Sequence, residues 1–171
     1  EAPTLYALYA LMFLVGISIG SDKKALQALK QQNLKIILVP LATIIGTLIG
    51  SALISFVLSG RSITDCLAVG SGFGYYSLSS IFITQYKGAE LGTIALVSNI
   101  TRELLALLAA PLLIRYFGKL APISAGGATT ADTTLPIITK FCGKEFVIIS
   151  IVHGITVDLS VPFLVTFFCT I

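Results

Sequence analysis

Ile100-Thr101-Arg102-Glu103-Leu104 returns 55 residues later as Ile155-Thr156-Val157-Asp158-Leu159. Working outward from these two runs, 71–104 lies over 126–159 without a gap, and ten of the 34 positions are identical. Gly72 falls on Gly127, Ile83-Thr84 on Ile138-Thr139, Gly88 on Gly143 and Glu90 on Glu145. Apolar bias raises chance identity among aliphatic residues, but it does not reproduce shared glycines and acids. A polar, Gly-interrupted unit that recurs within an apolar chain is the pattern of secondary transporters built from internal repeats.

The rest of the chain fits a membrane setting. Of its 171 residues, 56% are hydrophobic and 11% charged, and the mean hydropathy is +0.97. Soluble domains carry about 25% charged residues, so this composition points to an all-α integral membrane protein. Apolar stretches at 4–20, 36–58, 92–114 and 146–171 each approach or exceed the roughly 17–25 residues that cross a bilayer as a helix. The net charge of +3 sits in the loops between them, which makes it a topology signal and gives no reason to expect a nucleic-acid partner. Cys66, Cys142 and Cys169 are odd in number and far apart, so neither a metal site nor a cofactor is expected.

Two stretches differ from the spanning helices. The first, 66–86, holds Gly70, Gly72 and Gly74 at alternate positions, followed by Tyr75, Tyr76, Ser77, Ser79 and Ser80. Such a glycine series breaks a continuous helix. Its counterpart, 121–141, is more polar still, with Ser124, Gly126, Gly127, Thr129, Thr130, Asp132, Thr133, Thr134 and Pro136. Backbone released from a helix at membrane depth must line protein or water, so both stretches should border a cavity.

Either stretch can cross the membrane or dip in and return. The basic residues favour re-entrant hairpins. In that arrangement Arg115, Lys119, Lys140 and Lys144 join Lys23, Lys24, Lys30 and Lys35 on the cytoplasmic side, leaving Arg61 and Lys87 outside. If both stretches crossed, Arg115 and Lys119 would lie outside, against the positive-inside tendency. A hairpin plus one spanning helix makes an odd number of crossings, so the repeats are expected to be inverted. The expectation is one membrane domain over 1–171, with about four spanning helices and two Gly-rich hairpins. Two helices occupy 4–58, the first repeat 66–114 and the second 121–171.

Charged and amide side chains inside such helices are candidates for function, because each central charge costs roughly 2.5–3.5 kcal/mol on the insertion scale. Asn99 and Glu103 are four residues apart and share a helix face. Glu103 reads as a cation or proton site with Asn99 as neutral coordinator. Arg102, about 100° round the helix, fits either that site or a structural pair with a carboxylate. Asp158 repeats Glu103. His153 lies about 140° round from Asp158, and reads as a proton relay or as a buried, hydrogen-bonded histidine. Asp132 is either a third membrane-depth acid or the cap of a half-helix. The hairpin tips (Gly70, Gly72, Gly74, Gly126, Gly127 and Thr129) offer exposed amides for anions and carbonyls for cations. A membrane enzyme is the rival class, but the chain has no GxGD, GxSG or HExxH motif.

With these residues in place, the chain resembles the bacterial lysine exporter (LysO) family. The likeness rests on Gly72-Phe73-Gly74-Tyr75-Tyr76-Ser77-Leu78-Ser79-Ser80, on Asn99 to Glu103, and on Lys119-Leu120-Ala121-Pro122-Ile123-Ser124-Ala125-Gly126-Gly127-Ala128-Thr129. Asp132 to Pro136 and His153-Gly154 extend it over essentially the whole chain. The resemblance implies export of L-lysine and its toxic analogue thialysine across the inner membrane, and an essential intramembrane acid at Glu103. It also implies an additional N-terminal membrane portion that these residues do not include, supplied by a separate polypeptide or missing from a shortened form.

The residues suit that substrate. Lysine carries two ammonium groups and a carboxylate, which call for acids and amide donors. Moving its net charge of +1 outward against an inside-negative potential costs about 2.3 kcal/mol per 100 mV, and exchange for one proton makes the cycle electroneutral. Gly46 and Gly50, in GxxxG spacing with Thr47 and Ser51 beside them, suit close helix contact. A homodimer, or a heteromer with the N-terminal portion, is therefore expected in the lipid bilayer. A non-transporting subunit that completes a partner's fold is the alternative.

Overall fold

A computed structural model describes residues 34–171 apart from 59, together with isolated positions before them. The helix expected at 4–20, and nearly all of the basic loop after it, lie outside the described residues. Among the described residues every element is helical. Three of these helices are long and apolar enough to cross a membrane.

A 3₁₀ turn, Leu34–Ile37, leads into α1, Leu38–Ser55. The amphipathicity of α1 is inside out. Leu41, Ile45, Ile49 and Leu53 are exposed, whereas Thr43 and Ser55 are buried. In a bilayer the apolar face belongs to lipid and small polar residues belong at helix contacts. Inward hydroxyls remain satisfied within the helix, Thr43 donating to the Val39 carbonyl and Ser55 to that of Ala52.

Helix α2, Ile63–Gly70, starts with a reciprocal cap. The Asp65 amide donates to Ser62 Oγ at 3.0 Å, and the Ser62 amide donates to the Asp65 carboxylate. This satisfies donors that a helix start leaves open. The chain then breaks over 71–75, and α3 runs Tyr76–Lys87. Helix α4, Ala89–Leu108, follows directly and packs along α3.

The single helix expected over 92–114 is two helices in the structure. α4 ends at Leu108, Ala109 leaves helical geometry, and α5 spans Ala110–Phe117. Pro111 is the cause, because it has no N–H to give the Leu107 carbonyl and its ring crowds that carbonyl, yet proline is tolerated in the first turn of the next helix.

Helix α6, Ala121–Gly126, passes into a 3₁₀ turn, Gly127–Ala131, and then into α7, Leu135–Cys142. A short 3₁₀ turn, Lys144–Phe146, precedes α8, Val147–Thr170. The main core joins Phe73, Leu78, Phe82 and Ile83 to Ala95 of α4 and to Val157, Val161 and Val165 of α8. The four-residue spacing of the three valines lays them along one stripe of α8. The broken stretch at 71–75 is thereby held among three helices.

Candidate functional site

The two interrupted segments meet. Phe73, at the first break, accepts the amide of Ala128 at 2.9 Å through its backbone carbonyl. Phe73 is fully buried and has a positive φ of 45°, an uncommon state for a bulky residue that the surroundings must enforce. Gly127 makes the approach possible. It has φ 64°, and a Cβ there would lie 2.1 Å from the Phe73 oxygen.

Asn99 of α4 holds the first break in shape. Its Oδ1 accepts from the Gly74 amide at 2.8 Å, while Nδ2 donates to the carbonyls of Val69 at 3.1 Å and Ala95 at 2.9 Å. Asn99 is buried, and a helix break inside a protein needs such partners for its released backbone. Gly72 leaves the room, since a Cβ there would come within 2.5 Å of Asn99 Nδ2.

Arg102 does the same for the second break. Its Nε donates to the Ala125 carbonyl at 2.9 Å and one terminal nitrogen donates to that of Ser124 at 3.0 Å. The other terminal nitrogen reaches Thr47 Oγ1 at 3.3 Å, and the guanidinium sits 5.7 Å from the Phe73 ring centre. The open carbonyls at the end of α6 carry partial negative charge, which favours a cation there. Among the described residues no carboxylate pairs with Arg102.

The acids lie elsewhere. Asp132 and Asp158 both line a cavity of about 290 Å³ with Tyr75, Thr129 and Gly154. Asp132 Oδ1 accepts the Thr133 amide at 2.6 Å. Glu103 points to the same turn from α4, where Thr133 Oγ1 donates to its Oε1 at 2.6 Å. Pro162 has no N–H to give the carbonyl of Asp158 four residues earlier, so that oxygen lacks its ordinary helical partner. Asn99 and Arg102 line a different cavity of about 590 Å³ between α1, α2 and α4.

His153 lines neither of these cavities. It is fully buried and bridges two hydroxyls, with Nε2 2.9 Å from Thr43 Oγ1 and Nδ1 3.0 Å from Thr130 Oγ1. Ser150 Oγ donates to the Thr130 carbonyl at 2.8 Å and Thr130 Oγ1 lies 3.0 Å from the Ser150 carbonyl. This network ties α1, α8 and the turn at 127–131 together. Of these residues the sequence alone does not single out Thr43, whereas Tyr75, Thr130 and Thr133 lie in the two stretches expected to border a cavity. For Thr43 a signal existed, because Thr43, Thr47, Ser51 and Ser55 form a hydroxyl stripe at four-residue spacing.

An all-helical frame among the described residues, with apolar residues outward and cavities beside two broken helices, defines a membrane protein. This chain belongs to the lysine exporter LysO family, whose model matches residues 1–169. It is 37% identical over 163 residues to the protein named Lysine exporter LysO from Escherichia coli K12, covering 95% of this chain and 54% of that protein. It is 38% identical over 164 residues to a Haemophilus influenzae protein provisionally named a lysine exporter, covering 96% of this chain and 83% of that one. The chain thus spans about half the length of the Escherichia coli relative. No solved structure matches it.

Proposed function

We propose that this chain is a transporting unit that exports L-lysine, and thialysine with it, across the bacterial inner membrane in exchange for protons. One observation carries the reading: Asp132 and Asp158, 26 positions apart in sequence, line one small cavity where the interrupted segments meet. A carboxylate there can hold either a proton or a substrate ammonium, and alternation between the two couples opposite movements. Glu103, held to Thr133 beside Asp132, is the third acid of the cycle. Lysine as cargo is drawn from the names of the two relatives.

Alternating access in this reading uses two re-entrant hairpins of an inverted repeat. Several contacts support it. Arg61 pairs with Glu90 and Lys87 with Asp65, so ion pairs close the base of the segment from α2 to α3. Lys119 pairs with Glu145 at 3.2 Å and closes the base of the segment from α6 to α7 in the same way. Between the two bases runs α4, whose 20 residues reach about 30 Å. Gly88 and Gly143, aligned in the repeat, share φ near 100° and ψ near 160° as they turn the chain into the following helix.

A second reading keeps the same fold but makes the chain a subunit that completes a partner. Helix α1 favours it, because a Cβ at Gly46 or Gly50 would meet nothing within 4 Å among the described residues. Flux measurement in proteoliposomes tests the first reading. An imposed proton gradient should drive lysine uphill with the purified chain alone. Flux only after addition of a partner chain supports the second reading, and lysine movement indifferent to the gradient rules out proton exchange.

A further inference from the structure

The larger cavity contains none of the acids of the proposed proton cycle. Its inner end, by the order of residues along α1 and α4, is formed by Thr47, Ser51, Ser98 and Arg102, and its mouth by Arg61 and Asp65. A volume of about 590 Å³ falls within the range of small-molecule sites, roughly 300–1,000 Å³. What sets this cavity apart is the state of Arg102.

A guanidinium has five N–H groups. Three of those on Arg102 are engaged, all with neutral oxygens, those of Ser124, Ala125 and Thr47. One N–H on each terminal nitrogen remains. The positive charge has no carboxylate partner among the described residues, although a cation at this depth is expensive unless compensated. The carbonyls and the Phe73 ring also fix the guanidinium plane, so it is held ready before any ligand arrives. A planar, preoriented guanidinium with two spare donors on its terminal nitrogens matches a carboxylate. Hydroxyls of Ser51 and Ser98 line the same end and can donate to its oxygens.

We propose that Arg102 receives the α-carboxylate of the exported amino acid in the larger cavity, with Thr47, Ser51 and Ser98 completing the anion site. This rests on the reading of the chain as an amino-acid exporter and adds how the substrate is recognised. The side-chain ammonium and the carboxylate are then read by different parts of the protein. The cavity of Asp132 and Asp158 takes positive charge, the cavity of Arg102 takes negative charge, and the contact between Phe73 and Ala128 lies between the two groups of residues. Arg102 and Glu103 are consecutive on α4, so a displacement of that helix would move both recognition elements together.

Binding of lysine and lysinamide to the purified protein tests the assignment, in nanodiscs of zwitterionic phosphatidylcholine so that no lipid of net negative charge competes for Arg102. Lysinamide keeps both amino groups and replaces the carboxylate with an amide. The wild-type protein should bind lysine about tenfold or more tighter than lysinamide, as expected for a lost charge-assisted hydrogen bond. Arg102→Gln should bring lysine down to the level of lysinamide and leave lysinamide nearly unchanged. Because Arg102 also holds α6, Ser98→Leu is the second variant. It narrows the cavity beside the guanidinium without touching the three hydrogen bonds, and should produce the same selective loss. A wild-type protein that binds both ligands alike overturns the role of Arg102 while lysine export stands. So does a well-inserted Ser98→Leu or Arg102→Gln protein that keeps the preference. Wild-type protein that binds no lysine at all overturns the exporter reading itself.

Discussion

The carbonyl oxygen of Phe73 and the amide of Ala128 form a 2.9 Å hydrogen bond between two stretches of chain that are each interrupted helices. Each partner has a side-chain support on α4. Asn99 holds the turn around Phe73 through Gly74, and Arg102 holds the end of α6 just before Gly127. One helix therefore aligns both interruptions, and the acids gather around the junction.

Replacement of Gly127 by alanine should separate the two stretches. A side chain at φ 64° and ψ −127° and a Cβ 2.1 Å from the Phe73 oxygen are both unfavourable, and the backbone part alone costs about 1–3 kcal/mol. Thermal unfolding in detergent should show a clear drop. Gly46→Ala, where a Cβ meets nothing within 4 Å among the described residues, should stay within about 0.5 kcal/mol of the wild type. Equal stability of the two variants would contradict the close approach.

Asn99→Ala should lower stability by about 1–3 kcal/mol, since it leaves the buried Gly74 amide without its acceptor. Asn99→Asp should be worse than its near-identical shape implies. A carboxylate cannot donate to the carbonyls of Val69 and Ala95, and it would face both of them with negative charge. Denaturation curves for the two variants, ranked against each other, check this order.

Single cysteines placed in a cysteine-free background test the hairpins. Positions 61 and 87 should label from one face of the membrane, and 119 and 144 from the other, when an impermeant maleimide is added to whole cells and to inverted vesicles. Labelling of 61 and 87 from opposite faces would rule out the inverted-repeat arrangement.

Glu103→Gln and Asp158→Asn keep shape and remove charge. Each should abolish protection of cells against thialysine, to the level of cells without the protein, at normal membrane insertion. Thr133→Val removes only the hydroxyl that Glu103 accepts, and should weaken protection without ending it. Full protection by the Glu103→Gln variant would exclude that carboxylate from coupling.

His153 and Thr43 should behave as a unit. Phe at 153 and Val at 43 each remove one side of the 2.9 Å contact, and a double-mutant cycle on stability should return a coupling of about 0.5–3 kcal/mol. Additive losses would mean that the hydrogen bond contributes nothing beyond packing.

Much of this molecule is determined locally and was legible in its residues. The apolar runs determine helices in a membrane, because lipid offers a free backbone no partners. Glycines at 70, 72 and 74, and the polar run around Gly126-Gly127, mark where helices must break. Pro111 marked another break, at Ala109, but a reading by hydropathy over 92–114 passed through it. Which polar side chain faces which neighbour was decided only by tertiary structure. Asn99 and Glu103 share a helix face by periodicity, yet one is locked to Gly74 and Ala95 and the other reaches Thr133. Arg102, next in sequence to Glu103, turns to the carbonyls of α6 and leaves the acids unpaired with it. Helical period gives a direction around one axis, whereas the partner met in that direction depends on segments 22 to 55 residues away, and only packing brings those to hand.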